Sequence, residues 1–220
     1  MQCIKDTIKN INIVIGCSIG CSYCYARMNN NRFHTIDDFN KPVFFENKLK
    51  MLNNKRHTAY LLTGQSDLSG WNEEWKDKVF SKMKENENTQ YIFLTKRPEN
   101  INLKETPDNG WFGVTVTSSK EKTRIDYLRN NIKAKHYHIT FEPMFDDVGK
   151  LDLNNISWIV IGTETGNRKG KISSKREWVF NIYNQAKEKN IPVFMKEDLL
   201  GILNEDEFVQ EFPKEFGGIK

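Results

Sequence analysis

Three of the four cysteines fall within eight residues, in Gly16-Cys17-Ser18-Ile19-Gly20-Cys21-Ser22-Tyr23-Cys24, spaced C-x3-C-x2-C directly after an apolar, β-branched run. Thiolates are soft ligands, and closely spaced sets of them hold zinc or iron–sulfur clusters. A closed zinc site or an all-cysteine four-iron cluster takes four ligands. The remaining cysteine, Cys3, has no partner nearby in sequence. Three ligands on a four-iron cube leave one iron open to a small molecule. Plainer readings stand beside this one: a zinc knuckle completed by His34 or Cys3, or reduced core thiols. A disulfide framework is not needed by a chain of this size.

Something must position these thiols. Seven short apolar runs, at 11–15, 59–62, 91–94, 112–116, 137–141, 158–161 and 193–195, are nearly continuous in hydrophobicity. Strands of a parallel sheet, buried on both faces, have that pattern. Helical periodicity lies between several of them: Trp71, Trp75, Val79 and Met83; then Ile125, Leu128 and Ile132; then Trp178, Val179, Ile182, Tyr183 and Ala186. Alternating strands and helices with right-handed crossovers predict an α/β fold, a partial (β/α) barrel of six to seven parallel strands. The stretch 143–157 is too short for a helix, so that crossover reads as a loop.

Each run ends in a polar or glycine-rich tip. The tips are Gly16-Cys17, Thr63-Gly64-Gln65-Ser66-Asp67, Thr95-Lys96-Arg97-Pro98, Thr117-Ser118-Ser119, Glu142-Pro143, Thr163-Glu164-Thr165-Gly166 and Lys196-Glu197-Asp198. A parallel β/α barrel builds its active site from the loops at the carboxyl ends of its strands. Seven polar tips on one rim, with thiolates on the first, therefore describe one convergent site.

With 220 residues, 38% hydrophobic and 28% charged, the chain has the make-up of a folded globular protein. It reads as a single domain, 1–220, with a cluster loop at 16–25 and a C-terminal cap at 199–220. Phe208, Phe212 and Phe216 at i, i+4, i+8 give that cap an amphipathic pattern. No apolar run reaches the ~18 residues that span a bilayer. The start Met1-Gln2-Cys3-Ile4-Lys5-Asp6 lacks a signal-peptide pattern, so a reducing cytoplasmic location is expected. The net charge of +4 comes with scattered lysines and argues only weakly for nucleic acid. His136 and His138 alternate on one strand without a third ligand nearby, and His138 reads as a satisfied strand residue.

The cysteine spacing with Tyr23 resembles the radical S-adenosylmethionine (SAM) superfamily, whose motif is C-x3-C-x-(aromatic)-C. Further segments resemble its phage-associated three-cysteine-motif branch: Ser66-Asp67-Leu68, Phe93-Leu94-Thr95-Lys96-Arg97-Pro98, Phe112-Gly113-Val114-Thr115-Val116, Phe141-Glu142-Pro143-Met144, Val160-Ile161-Gly162-Thr163-Glu164-Thr165-Gly166 and Pro192-Val193-Phe194-Met195-Lys196. Thr163 departs from the pattern, standing where a second glycine is expected. The short architecture is also similar to the queuine lyases of queuosine salvage, which cut a carbon–nitrogen bond to leave 7-aminomethyl-7-deazaguanine.

The resemblance implies a radical SAM fold and a [4Fe-4S] cluster on Cys17, Cys21 and Cys24, with Tyr23 beside the SAM adenine and a flavodoxin or ferredoxin as electron donor. Ser66 and Asp67 would face the SAM amine. Lys96 or Arg97 would pair its carboxylate. Ser118 or Ser119 would hydrogen-bond SAM or substrate, and Glu142 would accept from ribose hydroxyls or a substrate amine. Catalytic side chains are expected among Glu142, Glu164 and Lys96, and substrate contacts among Tyr25, Asp67, Glu164 and Lys196. Tyr25 or Phe141 could stack on a nucleobase-like substrate, and Glu197 and Asp198 are further acidic candidates. Two other classes compete: a radical SAM enzyme acting on nucleic acid, and a non-enzymatic zinc- or cluster-binding module.

Overall fold

A computed structural model describes residues 2–53 and 58–217. A seven-stranded, wholly parallel sheet runs through it, curled into a half-barrel. Its strands are β1 (Ile8–Asn10), β4 (Ala59–Leu61), β5 (Gln90–Thr95), β6 (Gly110–Thr115), β7 (His136–Phe141), β8 (Ile156–Ile161) and β9 (Val193–Met195), in that order. Two further strands, β2 (Val14–Ile15) and β3 (Val43–Phe44), form a small antiparallel ribbon.

Six of the seven expected strands lie where the apolar runs put them. The first is displaced. The sheet strand is β1, three residues upstream of the run at 11–15, and the end of that run belongs to the ribbon. Ile11 still donates its N–H to the Leu61 carbonyl (3.0 Å), and a tight turn at Asn12 then lifts the chain off the sheet. Asn10 and Asn12 are the cause: their side-chain amides lie against Gly64, where an added Cβ would come within 3.1 and 3.0 Å of them. The chain thus leaves the sheet early and delivers its cysteines above the strand ends.

The outer face carries α3 (Glu73–Lys84), α4 (Thr123–Asn131) and α5 (Arg176–Glu188). Val79, Met83, Leu128, Val179, Ile182 and Ala186 pack there against Phe93, Phe112, Val114, Ile139 and Ile161. Trp71 precedes α3, because Asn72 caps that helix by accepting the Trp75 N–H (2.9 Å). No helix joins β7 to β8, as the short interval required. Among the described residues no helix is long and apolar enough to cross a membrane.

The face away from the helices is filled from its base by Ile92, Trp111, Trp158, Val160 and Phe194, with Phe216 beneath them. His138 belongs to this layer and is 1% exposed. Its Nε2 lies 3.0 Å from the Phe93 carbonyl, while Nδ1 has no partner. Burial holds the imidazole neutral, with a pKa of about 4. The ring lies over Gly113, so closely that any Cβ there would collide with it.

After β9 the described residues form no continuous amphipathic helix, only short 3-10 turns at Glu197–Leu199, Glu205–Glu207 and Lys214–Phe216. Residues 208–213 run extended, and Val209 and Glu211 exchange hydrogen bonds with Met195 and Val193 (2.8 Å each), covering the edge of β9. Pro213 interrupts the i, i+4 series of phenylalanines and rules out a continuous helix. Phe212 and Phe216 turn in to close the base. Residues 218–220 of the expected cap lie outside the described residues.

Gly113→Ala forces the ring of His138 or the sheet to shift, so it is expected to destabilise the fold by about 1–3 kcal/mol. Denaturant midpoints of the two proteins check this.

Candidate functional site

The thiol loop sits over the carboxyl ends of the strands and is tied down at both ends. Before Cys17, Gly16 donates its N–H to the Gln65 carbonyl (3.0 Å) and bridges Ser66 in parallel fashion. Gly16 has φ +113°, and a Cβ there would come within 2.9 Å of the Pro42 backbone, so the position needs glycine. After Cys24, the Tyr25 hydroxyl donates to the Gly64 carbonyl (2.6 Å). Between these ties the Cys17 N–H bonds the Phe39 carbonyl (2.6 Å), and the Arg27 guanidinium donates to the Cys17 carbonyl (2.8 Å) while lying over the Phe39 ring.

Cys24 caps α2 (Tyr25–Phe33), its sulfur accepting the Arg27 N–H at 3.4 Å. All three thiols are half-buried and none is disulfide-bonded. Burial pushes Cys17 up to about 11, with the Ile19 N–H opposing and the charges of Asp67, Cys21 and Cys24 adding to the rise. Among the described residues, no group of three or more His, Cys, Asp or Glu side chains is drawn together as a ligand set for a metal ion.

Tyr23 packs edge-on against Phe145, and the Lys96 ammonium stands 5.7 Å from its ring centre. No carboxylate among the described residues pairs with Lys96, whereas Arg97 reaches Glu99 at 3.7 Å. Opposite, Lys196 binds Glu142 directly and lies 3.5 Å from Asp198. Asp198 also accepts the Thr163 N–H (3.1 Å). All three side chains crowd Gly162, where a Cβ would come within 3.1–3.2 Å of each. Burial pulls the Lys196 ammonium down, but Glu142 and Asp198 outweigh it and raise its pKa to about 12. Burial pushes Asp198 up to about 6, with Lys196 opposing and Glu142 adding. Burial also raises the phenol of Tyr25, and the charges of Cys24 and Glu142 add to it. Tyr25 as a whole remains 51% exposed beside this cluster.

Other expected site residues are engaged elsewhere. Asp67 is buried and accepts from Ser69 N (3.0 Å), Ser69 Oγ (2.7 Å), Thr95 Oγ1 (2.6 Å) and Lys96 N (2.8 Å). Ser66 accepts the Trp71 indole N–H (3.0 Å). Glu164 is gripped by both arms of Arg168 (2.5 and 2.8 Å) and by the Ile172 N–H. That pairing, foremost, holds its carboxyl below the ordinary range. Glu197 accepts from the Cys3 thiol (3.0 Å). Ser118 is half-buried without a side-chain cap bond, while Ser119 is fastened to Asp146 (2.6 and 3.0 Å). Phe141 cannot stack on a ligand: it is fully buried under the outer helices, since strand alternation turns Thr140 and Glu142 inward and Phe141 outward.

Arg27 and Gly162 were not legible as site residues. Arg27 had one faint signal, a cation three residues after a cysteine at a helix start. Two clefts, of about 550 and 480 Å³, open elsewhere, one around Lys133, Lys135 and Tyr137 and one around Leu151 and Gln185. Neither is lined by a residue of the thiol loop or of the Glu142–Lys196–Asp198 cluster.

A family described as a protein of unknown function, DUF5131, matches residues 2–217. The chain belongs to that family. A segment of this DUF5131 chain is also similar to Lipase 1 of Staphylococcus aureus, strains COL and MW2: 35% identity over 98 residues, 44% of the chain. The match spans 14% of the lipase's length. No solved structure matches.

The raised pKa of Asp198 gives a signed test. A carboxyl whose folded pKa is about 6, against 3.8 unbound by structure, binds its proton more tightly when folded, so stability falls as pH rises through that window. Asp198→Asn removes this loss. Its stability relative to the natural chain is expected to be greater at pH 7 than at pH 4, measured by urea midpoints at both.

Proposed function

We propose that this DUF5131 chain is a radical SAM enzyme, and that its substrate is queuine, cleaved at the carbon–nitrogen bond to 7-aminomethyl-7-deazaguanine. The observation that carries the reading is the thiol loop tied across the carboxyl ends of a parallel half-barrel. The residues fit a cluster in donor chemistry: three unpaired thiols, one at a helix N-terminus accepting an N–H···S bond. Cys17, Cys21 and Cys24 would hold the cluster, and when bound it supplies the reducing electron that splits SAM to a 5′-deoxyadenosyl radical.

The chain's own residues then divide the work. Lys96, which pairs with no carboxylate among the described residues, would pair the SAM carboxylate, and Tyr23 at its side offers a face to the adenine. Ser66 and Ser118 remain on the same rim as hydrogen-bonding groups. Asp67 is taken up by four protein donors and Glu164 by three, whereas Glu142 has Lys196 and Asp198 has Lys196 and the Thr163 N–H, so Glu142 and Asp198 keep more acceptor capacity for substrate. Two carboxylates around one ammonium leave a negative excess, which suits the cationic amine of queuine. The half-exposed ring of Tyr25 is a stacking platform for the planar base. Lys196 orients both carboxylates. A flavodoxin or ferredoxin would deliver the electron, in a cytoplasmic, reducing setting.

The lipase similarity favours no second reading. Gly16-Cys17-Ser18-Ile19-Gly20 has G-x-S-x-G spacing, but an activated serine needs a histidine within hydrogen-bond reach. Ser18 is exposed, and among the described residues no histidine bonds it.

The test is anaerobic reconstitution followed by SAM, dithionite and queuine. Formation of 5′-deoxyadenosine and 7-aminomethyl-7-deazaguanine is expected; queuine left intact would remove the substrate assignment. One zinc and no iron would remove both enzyme readings, and salt-sensitive DNA binding would favour a nucleic-acid substrate. Glu142→Gln is expected to raise KM for queuine about tenfold or more, the loss of one hydrogen bond to a charged group.

A further inference from the structure

The turn 63–69 after β4 is fastened on two sides. Toward β5 it is held by Asp67, which is 7% exposed. One carboxylate oxygen takes the Thr95 hydroxyl, the Ser69 hydroxyl and the Ser69 N–H; the other takes the Lys96 N–H. The Leu94 N–H adds a bond to the Thr63 hydroxyl (2.7 Å). Toward the thiol loop the same turn offers only main-chain carbonyls, and both ends of the loop use them. Gln65 receives Gly16, the residue before Cys17, and Gly64 receives the hydroxyl of Tyr25, the residue after Cys24.

We infer that Asp67 is a positioning residue for the three thiols, acting through the turn and not by contact with a ligand. Carbonyls can aim at Gly16 and Tyr25 only while the turn keeps its shape, and the buried carboxylate is what fixes that shape against β5. A charged acceptor suits this role, because hydrogen bonds to an ionised group are about twice as strong as neutral ones. Asn keeps the volume but replaces one acceptor oxygen by an amide that can only donate, so it cannot receive the Lys96 N–H while its oxygen takes Thr95 and Ser69. The same carboxylate fixes the main chain of Lys96, and so the place from which that side chain reaches the ring of Tyr23. The inference rests on the proposed function only in taking Cys17, Cys21 and Cys24 as the functional thiols.

The test uses the reduced, metal-free chain and limiting iodoacetamide, with alkylation of each cysteine followed by peptide mass spectrometry. Cys3, bonded to Glu197 and not to the loop, is the internal reference. In Asp67→Asn the rates at Cys17 and Cys24 relative to Cys3 are expected to rise about fivefold or more, local opening having lost at least one net hydrogen bond. Thr95→Val, which removes the hydroxyl's bond to Asp67 together with the one it accepts from the Arg97 N–H (3.0 Å), is expected to move the same ratios in the same direction. Unchanged ratios in a folded Asp67→Asn chain, as judged by its thermal transition, overturn the inference; should that variant not fold, Thr95→Val decides by the same ratios. The readout needs neither iron nor SAM. A chain that takes up no iron yet shows the rise keeps the positioning role and loses the radical SAM reading, and unchanged ratios in a chain that does load iron mean the reverse.

Discussion

One backbone hydrogen bond, from the Gly16 N–H to the Gln65 carbonyl, joins two things that the chain builds separately. One is a curled parallel sheet; the other is a loop of thiols that has no regular structure of its own until α2 begins. Without that bond and its counterpart from Tyr25 to Gly64, the cysteines would keep their ties to the β2–β3 ribbon and Phe39 but lose these direct links to the tip of β4. With them, the cysteines are held beside the tips of β4, β5 and β7. The requirement is exacting at Gly16, where both the positive φ and the approach of Pro42 exclude a side chain.

The half-barrel leaves one place for polar chemistry. Its base is sealed by Phe212 and Phe216, and its middle is filled by Trp111, Trp158 and a neutral His138 laid over Gly113. The upper rim brings Glu142, Lys196 and Asp198 together without burying them outright. There the structure separates carboxylates that composition alone could not rank. Glu164 and Asp67 serve the protein, as a loop latch and a strand clamp. Glu142 and Asp198 both face Lys196, two carboxylates to one ammonium.

Much of this was legible in the sequence, because burial on both faces leaves an unbroken apolar signature in β5 to β9. The first strand was misplaced because its signal was divided between a sheet strand and a ribbon, with polar Asn10 and Asn12 at the handover. The terminal phenylalanines had helical spacing yet serve an extended edge and a plug, since Pro213 prevents the helix and Trp111 and Trp158 offer a pocket from below. Site residues were recognisable by their place at strand ends, but not by what they touch. Nothing in Thr163-Glu164-Thr165 says that Arg168 will fold back onto the acid, and nothing in Gly162 announces three charged groups around it.

The most direct measurement is low-temperature electron paramagnetic resonance of the anaerobically reconstituted, dithionite-reduced protein, recorded with and without SAM. A loop that holds a four-iron cluster with an open iron predicts a reduced-cluster signal whose line shape changes when SAM is added. A protein that gives no iron–sulfur signal, or one indifferent to SAM, contradicts it.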